Sequence, residues 1–141
     1  MNAAIAKSLL TLGCFLVVAS LGCGDDEGDD GTSEAVRRGV GVACAENSDC
    51  TERGQVCLSE FKGGMCGIAD CTTSSECPEG SVCVADPELA RNFCLLVCTD
   101  KPDCNVRRPA ESEANCSSSL NAIDTPDGGT NDPKVCRPPS A

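Results

Sequence analysis

The sequence predicts a small, disulfide-rich, loop-dominated fold with short β-hairpins, built as three tandem four-cysteine repeats after a signal helix and a disordered tether. Three observations support this prediction: the 141-residue chain has 14 cysteines, its aromatic content is 2%, and its cysteines recur in a fixed frame. Cysteine near a tenth of a short chain is typical of a disulfide framework in an oxidising compartment. A chain this poor in aromatic residues needs covalent cross-links in place of core area.

The stretches CAENSDC, CTTSSEC and CTDKPDC begin 27 residues apart and define three repeats: repeat 1 (44–70), repeat 2 (71–97) and a divergent repeat 3 (98–141). An acid precedes the second cysteine of each stretch. We expect such acids to accept backbone N–H bonds in the adjoining turn; solubility alone is the alternative. The acids are Asp49, Glu76 and Asp103, and the cysteines are Cys44, Cys50, Cys57 and Cys66, then Cys71, Cys77, Cys83 and Cys94, then Cys98, Cys104, Cys116 and Cys136.

Four cysteines allow three pairings, and the sequence leaves all three open. Our working hypothesis joins the first cysteine of each repeat to the third and the second to the fourth. A bridge from Cys44 to Cys57 would close 13 residues, which stabilises by about 3 kcal/mol in the chain-entropy model. Six such bridges would offset an ordering cost that a small core cannot meet.

Repeats 1 and 2 share a G-x-V-C motif, GQVC from Gly54 and GSVC from Gly80. A glycine here suits a turn with positive φ, which would lead into a short strand through Val56 or Val82. Repeat 3 lacks the motif and has long gaps between its cysteines. We therefore expect repeat 3 to be the least ordered.

Residues 1–22 are predicted to be an export signal, with Lys7 as its positive charge and an apolar run from residue 8 to residue 21. That run is short for a transmembrane helix. It ends in SLGC, which resembles the lipobox of bacterial lipoproteins. The resemblance implies cleavage after Gly22 and acylation of Cys23.

Two alternatives remain for this segment. One is an ordinary secretory signal that leaves Cys23 as a thiol, and the other is cleavage before Cys14. Loss of residues 1–22 and acylation of Cys23 would leave twelve cysteines, an even number that can pair completely. We expect a chain anchored in a membrane by its N-terminal lipid and located at the cell envelope, on a bacterial outer membrane or the cell surface.

Residues 23–43 are predicted to form an acidic, glycine-rich tether. Six acids lie between Asp25 and Glu34, and the segment has no apolar periodicity. Such a composition is typical of a solvated, extended linker.

The frame C-x5-C-x(5,6)-C-x(8,10)-C, with an acid before its second cysteine and glycine before its third, resembles Dickkopf-type N-terminal cysteine-rich repeats. Similar repeats follow a GCG plus acidic tether in exported bacterial lipoproteins, particularly of the myxobacterial type. The likeness covers residues 44–98 well and the rest loosely. It implies a loop-rich disulfide domain that binds rather than catalyses, and it carries over no role in Wnt signalling.

Several chemistries are not expected. The sequence has no histidine and no C-x-x-C motif, which excludes Ser-His-Asp catalysis and disfavours redox and zinc-ribbon sites. The net charge of −11 argues against nucleic acid. We expect no enzyme activity, no cofactor and no metal, since disulfides are favoured over four-cysteine zinc sites in an exported chain.

The best-supported function is a non-catalytic module that binds protein or glycan through loops 58–65 and 84–93. The candidate contacts are Phe61, Lys62, Arg91 and Phe93, because exposed aromatic and arginine side chains are favoured binding anchors. The phenylalanines could instead cover the disulfides of their own repeats. Two other functions remain open: a protease inhibitor presenting Lys62 or Arg91, and a structural envelope spacer.

Overall fold

The structure, a computed structural model, describes residues 32–124 and 133–141. The predicted signal, Cys23 and most of the predicted tether lie outside the described residues. Short elements joined by loops confirm the predicted fold class. They are α1 (Glu34–Arg37), the 3-10 helices η1 (Asn47–Asp49), η2 (Ser74–Glu76), η3 (Lys101–Asn105) and η4 (Ala110–Ser112), and the strands β1 (Val56–Cys57), β2 (Cys66–Gly67), β3 (Ser81–Asp86), β4 (Arg91–Leu96), β5 (Asn115–Ser117), β6 (Asn121–Ala122) and β7 (Val135–Arg137).

All three repeats have the same scaffold. The third and fourth cysteines lie directly opposite each other on an antiparallel strand pair, and a 3-10 helix joins the first two cysteines. In repeat 3 that helix runs one residue past the second cysteine. The opposed pairs are Cys57 with Cys66 on β1 and β2, Cys83 with Cys94 on β3 and β4, and Cys116 with Cys136 on β5 and β7.

Six disulfides attach the 3-10 helices to the strand pairs, and they confirm the hypothesis of first-to-third and second-to-fourth pairing. Their Cα–Cα distances run from 5.2 to 6.0 Å, within the usual range for a disulfide. Repeat 3 keeps the pattern in spite of its long gaps, because loop-closure entropy rises only slowly with length. The bridges are 44–57, 50–66, 71–83, 77–94, 98–116 and 104–136.

The acid before each second cysteine closes the 3-10 turn, as predicted. The Asp49 carboxylate accepts the N–H groups of Ala45 and Glu46 at 2.8 and 3.1 Å. In repeat 2 the carboxylate accepts both the N–H and the hydroxyl of one residue, and in repeat 3 it accepts two N–H groups. These bonds join Glu76 to Thr72 at 3.0 and 2.7 Å and Asp103 to Thr99 and Asp100 at 2.8 and 3.2 Å.

The glycines of the two G-x-V-C motifs have the predicted positive φ, +86° at Gly54 and +89° at Gly80. Both lead into strands, since Val56 begins β1 and Val82 lies in β3. At these positions glycine avoids the strain that a β-carbon meets in the left-handed region.

The repeats share one core rather than folding as separate beads. Strand β6 of repeat 3 pairs with β3 of repeat 2, which gives a three-stranded sheet in the order β4-β3-β6. All three repeats contribute to one buried apolar cluster, formed by Leu58, Phe61, Met65, Val84, Phe93, Leu95, Leu120 and Val135. Among residues 32–124 and 133–141, no helix has the length and apolar character needed to cross a membrane.

Residues 33–42, which we call the strap, fold onto the repeats, so the predicted tether is wrong over this part. Ala35 is fully buried and its N–H donates to the Glu79 carbonyl at 2.8 Å. Further along, the Gly41 N–H donates to the Cys66 carbonyl at 2.9 Å. The physical reason is a set of apolar side chains that the acidic composition obscured, among them Val40, which packs with Ala35 against repeat 3.

We predict that the three turn-closing acids make stability fall at low pH. Hydrogen bonds to the ionised carboxylates hold the pKa values of Asp49, Glu76 and Asp103 below their ordinary 3.8, 4.5 and 3.8. Because the folded pKa lies below the unfolded one, this stabilisation is complete above the ordinary values and is lost as pH falls through the lowered ones.

The triple variant Asp49→Asn/Glu76→Gln/Asp103→Asn should therefore lose part of its stability at pH 7 and show a flatter decline below about pH 4. Denaturant unfolding of the oxidised protein from pH 7 to pH 2 measures the free energy of unfolding at pH 7 and its decline with falling pH. If the free energy of unfolding fell equally steeply with pH in the variant and the wild type, this role for the acids would be contradicted.

Candidate functional site

Loops 58–65 and 84–93 meet in the fold, but their aromatic rings point inward. Phe61 and Phe93 are 1% and 0% exposed, and their ring centroids lie 5.0 Å apart in an edge-to-face arrangement. The prediction that they are exposed binding anchors is therefore wrong. Phe61 and Phe93 are the only aromatic residues after the predicted signal, and they fill the core between repeats 1 and 2 rather than merely covering their own disulfides.

Arg91 lies at the edge of this aromatic pair and is held there by ion pairs. Its guanidinium carbon is 5.5 Å from the centroid of the Phe93 ring. It pairs with Asp70, at 2.8 Å, and with Glu60. The hydrogen bond to Asp70 raises the pKa of Arg91. The side chain is 38% exposed, so Arg91 is a partly accessible group with its charge already compensated.

Arg137 occupies the equivalent position over Phe61, with its guanidinium carbon 6.0 Å from the ring centroid. It pairs with Asp86 at 2.7 Å and with Glu88 at 2.6 Å. Burial opposes ionisation of Asp86, but the bonds from Arg137 and from the Leu89 and Glu88 N–H groups outweigh it and lower the pKa. Sequence reasoning missed this pair, because 51 residues separate its members.

Lys62 has an exposed side chain, as predicted, but a fixed backbone. Its N–H donates to the Pro139 carbonyl at 2.8 Å. Its carbonyl accepts a hydrogen bond from the Arg108 guanidinium at 2.9 Å. The backbone of Lys62 is therefore already bonded within the protein on both sides.

Arg108 is the second residue that sequence reasoning missed. It is 8% exposed and donates to backbone carbonyls alone, which come from the strap, from repeat 1 and from repeat 3. Desolvation lowers its pKa, although an arginine stays charged even when buried. Arg108 thus joins three segments at one point; the acceptors are Ser112 at 2.7 Å, Gly41 at 2.9 Å, Lys62 at 2.9 Å and Gly64 at 3.0 Å.

A groove of about 390 Å³ lies between the repeat 2 hairpin and the strands of repeat 3. We call it the polar groove, because six of its nine lining residues have polar or charged side chains. Asn115, Ser117 and Ser119 contribute amide and hydroxyl groups, with the hydroxyls of the two serines 2.7 Å apart. The remaining lining residues are Asp86, Pro87, Glu88, Leu120, Arg137 and Pro139.

Hydrogen bonds favour the ionised form of several carboxylates among the described residues. All twelve cysteines after Cys23 are in disulfides. A general acid at neutral pH needs a raised carboxyl pKa. Hydrogen bonds to the ionised form instead lower the pKa of Asp70, with Arg91 as its donor, as they do at the three turn-closing acids.

Comparisons with protein-family models, curated proteins and solved structures give no match. The resemblance to Dickkopf-type repeats and to bacterial lipoproteins therefore stays a prediction from the cysteine frame and the lipobox.

We predict that Arg108→Met destabilises the protein by at least about 3 kcal/mol, because each buried carbonyl left without a donor costs about 1–3 kcal/mol. The control is Arg107→Met, which removes an exposed neighbouring arginine and should change stability by less than about 0.5 kcal/mol. Denaturant unfolding of the oxidised variants makes the comparison. Equal losses for both variants would show that Arg108 does not join the segments.

Proposed function

We propose that this protein is an exported, lipid-anchored, non-catalytic module that binds a protein partner at the cell envelope through the polar groove. The groove carries the proposal: its amide, hydroxyl and charged groups converge on one concave surface. Specific recognition sites combine such a concavity with a small number of placed polar groups.

The walls of the groove are covalently braced. Strands β5 and β7 contribute Asn115, Ser117 and Arg137. One cysteine on each strand is bridged, either to the 3-10 helix η3 or to the residue that lies three positions before it. On the opposite wall, the buried Asp86 accepts bonds from Arg137 and from the Glu88 and Leu89 N–H groups. A braced site loses little conformational entropy on binding, which favours affinity.

A protein partner is better supported than a glycan. Sugar rings commonly stack on exposed aromatic side chains, whereas Phe61 and Phe93 are buried here. A groove of carboxylate, guanidinium, amide and hydroxyl groups suits polar side chains and peptide groups. The net charge of −11 favours a partner with positive charge, because complementary charge speeds association.

The protease-inhibitor function has less support. An inhibitory loop must offer its backbone to the protease, but the Lys62 N–H and carbonyl are bonded to Pro139 and Arg108. The Arg91 side chain is paired with Asp70 and Glu60, so it is not free to enter a specificity pocket. If the protein were only a structural envelope spacer, the polar groove would have no ligand.

The lipid anchor rests on the sequence SLGC and on the pairing of the later cysteines. Since those twelve cysteines pair among themselves, Cys23 has no disulfide partner among them. Acylation would use that thiol, and attachment by more than one chain would hold the protein firmly at a membrane.

For the anchor, we predict that cells expressing Cys23→Ser give a protein without lipid label, whereas Cys14→Ser keeps the label. Metabolic labelling with an alkyne fatty acid, followed by intact mass measurement, checks this. Label that survives Cys23→Ser would contradict the proposed anchor.

For the groove, we predict that a photo-crosslinking amino acid at Asn115 gives a discrete protein adduct in exporting cells. The same probe at Ser48, an exposed residue of η1, should not give it. A second substitution, Ser119→Arg, should reduce the Asn115 adduct by filling the groove, while Ser48→Arg should not. Identical adducts from both probe positions would contradict the binding site.

A further inference from the structure

The two disulfides of every repeat are packed against each other, so their sulfur atoms form a cluster. In each repeat, three cysteine Sγ atoms lie within 4.8 Å of one another, and the fourth is bonded to one of the three. These sets are Cys44, Cys50 and Cys66 in repeat 1, Cys71, Cys77 and Cys94 in repeat 2, and Cys98, Cys104 and Cys116 in repeat 3.

We propose that, when its disulfides are reduced, each repeat is a four-thiolate site for a thiophilic divalent ion such as Zn²⁺ or Cd²⁺. The intact chain would bind three ions, one in each repeat. This inference is independent of the polar groove. It concerns the reduced protein, whereas the expectation of no metal applies to the oxidised protein, in which these sulfurs are bonded to each other.

The sulfur separations suit such an ion. A tetrahedral site with Zn–S bonds of about 2.3 Å places its sulfur atoms about 3.8 Å apart. Three sulfurs of each repeat already lie within 4.8 Å of one another, and two of these three are bonded to each other. The two sulfurs of a broken bridge must move apart, from bonding distance to the same separation, which rotation of the cysteine side chains can supply.

The backbone that holds the sulfurs together does not depend on the sulfur bonds alone. In repeat 2, Cys83 and Cys94 lie opposite each other in a ladder of six residue pairs between β3 and β4. Cys71 and Cys77 flank the turn that Glu76 closes through Thr72. Two ligands on a strand pair and two beside a closed turn therefore converge from separate elements, as a four-cysteine metal site requires.

Repeat 2 also shields its cluster from water. Cys71, Cys83 and Cys94 are at most 1% exposed and pack together, with Ile68 and Cys77 partly buried against them. A dry sulfur cluster favours thiolate–metal bonds over hydrated ions. Because its strand pair is also the longest of the three, we expect repeat 2 to hold its ion most tightly.

The chemistry balances with a reductant of the dithiol or phosphine class. Each disulfide takes up two electrons and two protons and gives two thiols, and the reductant is oxidised. The four thiols of a repeat then release four protons as they bind one divalent ion. Two equivalents of a two-electron oxidant, such as an external disulfide, take up four electrons from the thiolates, so that the two bridges form again and the ion is freed; binding is thus controlled by redox state.

The test uses the mature chain, reduced with a phosphine under anaerobic conditions, freed of reductant, and titrated with Co²⁺ and then Zn²⁺. We expect tetrathiolate Co²⁺ absorption bands that saturate at three equivalents, and three Zn²⁺ ions per chain by native mass spectrometry. The oxidised chain should bind neither ion at these thiolate sites. Saturation at another stoichiometry, or equal binding by the oxidised chain, would overturn the proposal.

Two substitutions distinguish a preorganised site from thiols on an unstructured chain. Glu76→Ala removes the turn closure without removing a ligand, and it should weaken the repeat 2 site about 10-fold or more, the usual effect of losing an outer-shell contact. The control, Glu111→Ala, removes an exposed acid outside the three cysteine turns and should leave all three affinities unchanged. Unchanged affinity in Glu76→Ala would show that the fold does not organise the sulfurs.

Discussion

The crossed pair of disulfides in each repeat is the constraint on which the rest of the structure depends. One bridge joins the start of a 3-10 turn to one strand, and the other joins the end of that turn to the opposite strand. In repeat 1 these are the bridges 44–57 and 50–66, and the strands they join have only two residues each. Strand pairs of this length are marginal by themselves in water, so this hairpin needs a cross-link at its cysteines, which the bridges supply in the oxidised protein. The acid before the second cysteine shapes the turn that receives them.

Contacts of several kinds join the three repeats. A pair of phenylalanine rings joins repeats 1 and 2, β6 extends the repeat 2 sheet, and Arg108 links the strap to repeats 1 and 3 through carbonyl oxygens. A buried arginine without a carboxylate partner is costly unless its donors are satisfied, and here its hydrogen bonds to four carbonyls meet that need. The repeats therefore form one body in which covalent bonds act within each repeat, and apolar and polar contacts act between repeats. That arrangement leaves the polar groove as a fixed surface at the junction of repeats 2 and 3.

The local features of this fold were predictable, and the contacts between repeats were not. Cysteine spacing, the acid at Asp49 and the glycine at Gly54 act within a few residues, so the sequence showed both the repeats and the turns. The role of Arg108 could not be distinguished from that of Arg107, since the two are adjacent and chemically identical. The strap was missed because the five acids that precede it, between Asp25 and Asp30, dominate the composition of the predicted tether, although Ala35 and Val40 supply a buried face. Phe61 and Phe93 were predicted to be exposed because the sequence does not show that separate repeats share a core.

The measurement that tests this account most directly is the disulfide connectivity of the mature protein. Partial reduction, stepwise alkylation with two reagents and mass spectrometry would assign each bridge. The account predicts six bridges, all within repeats, each joining first to third or second to fourth cysteines. A bridge between adjacent cysteines of one repeat, or between two repeats, would contradict it, because the turn could then not be fixed across its strand pair at both ends.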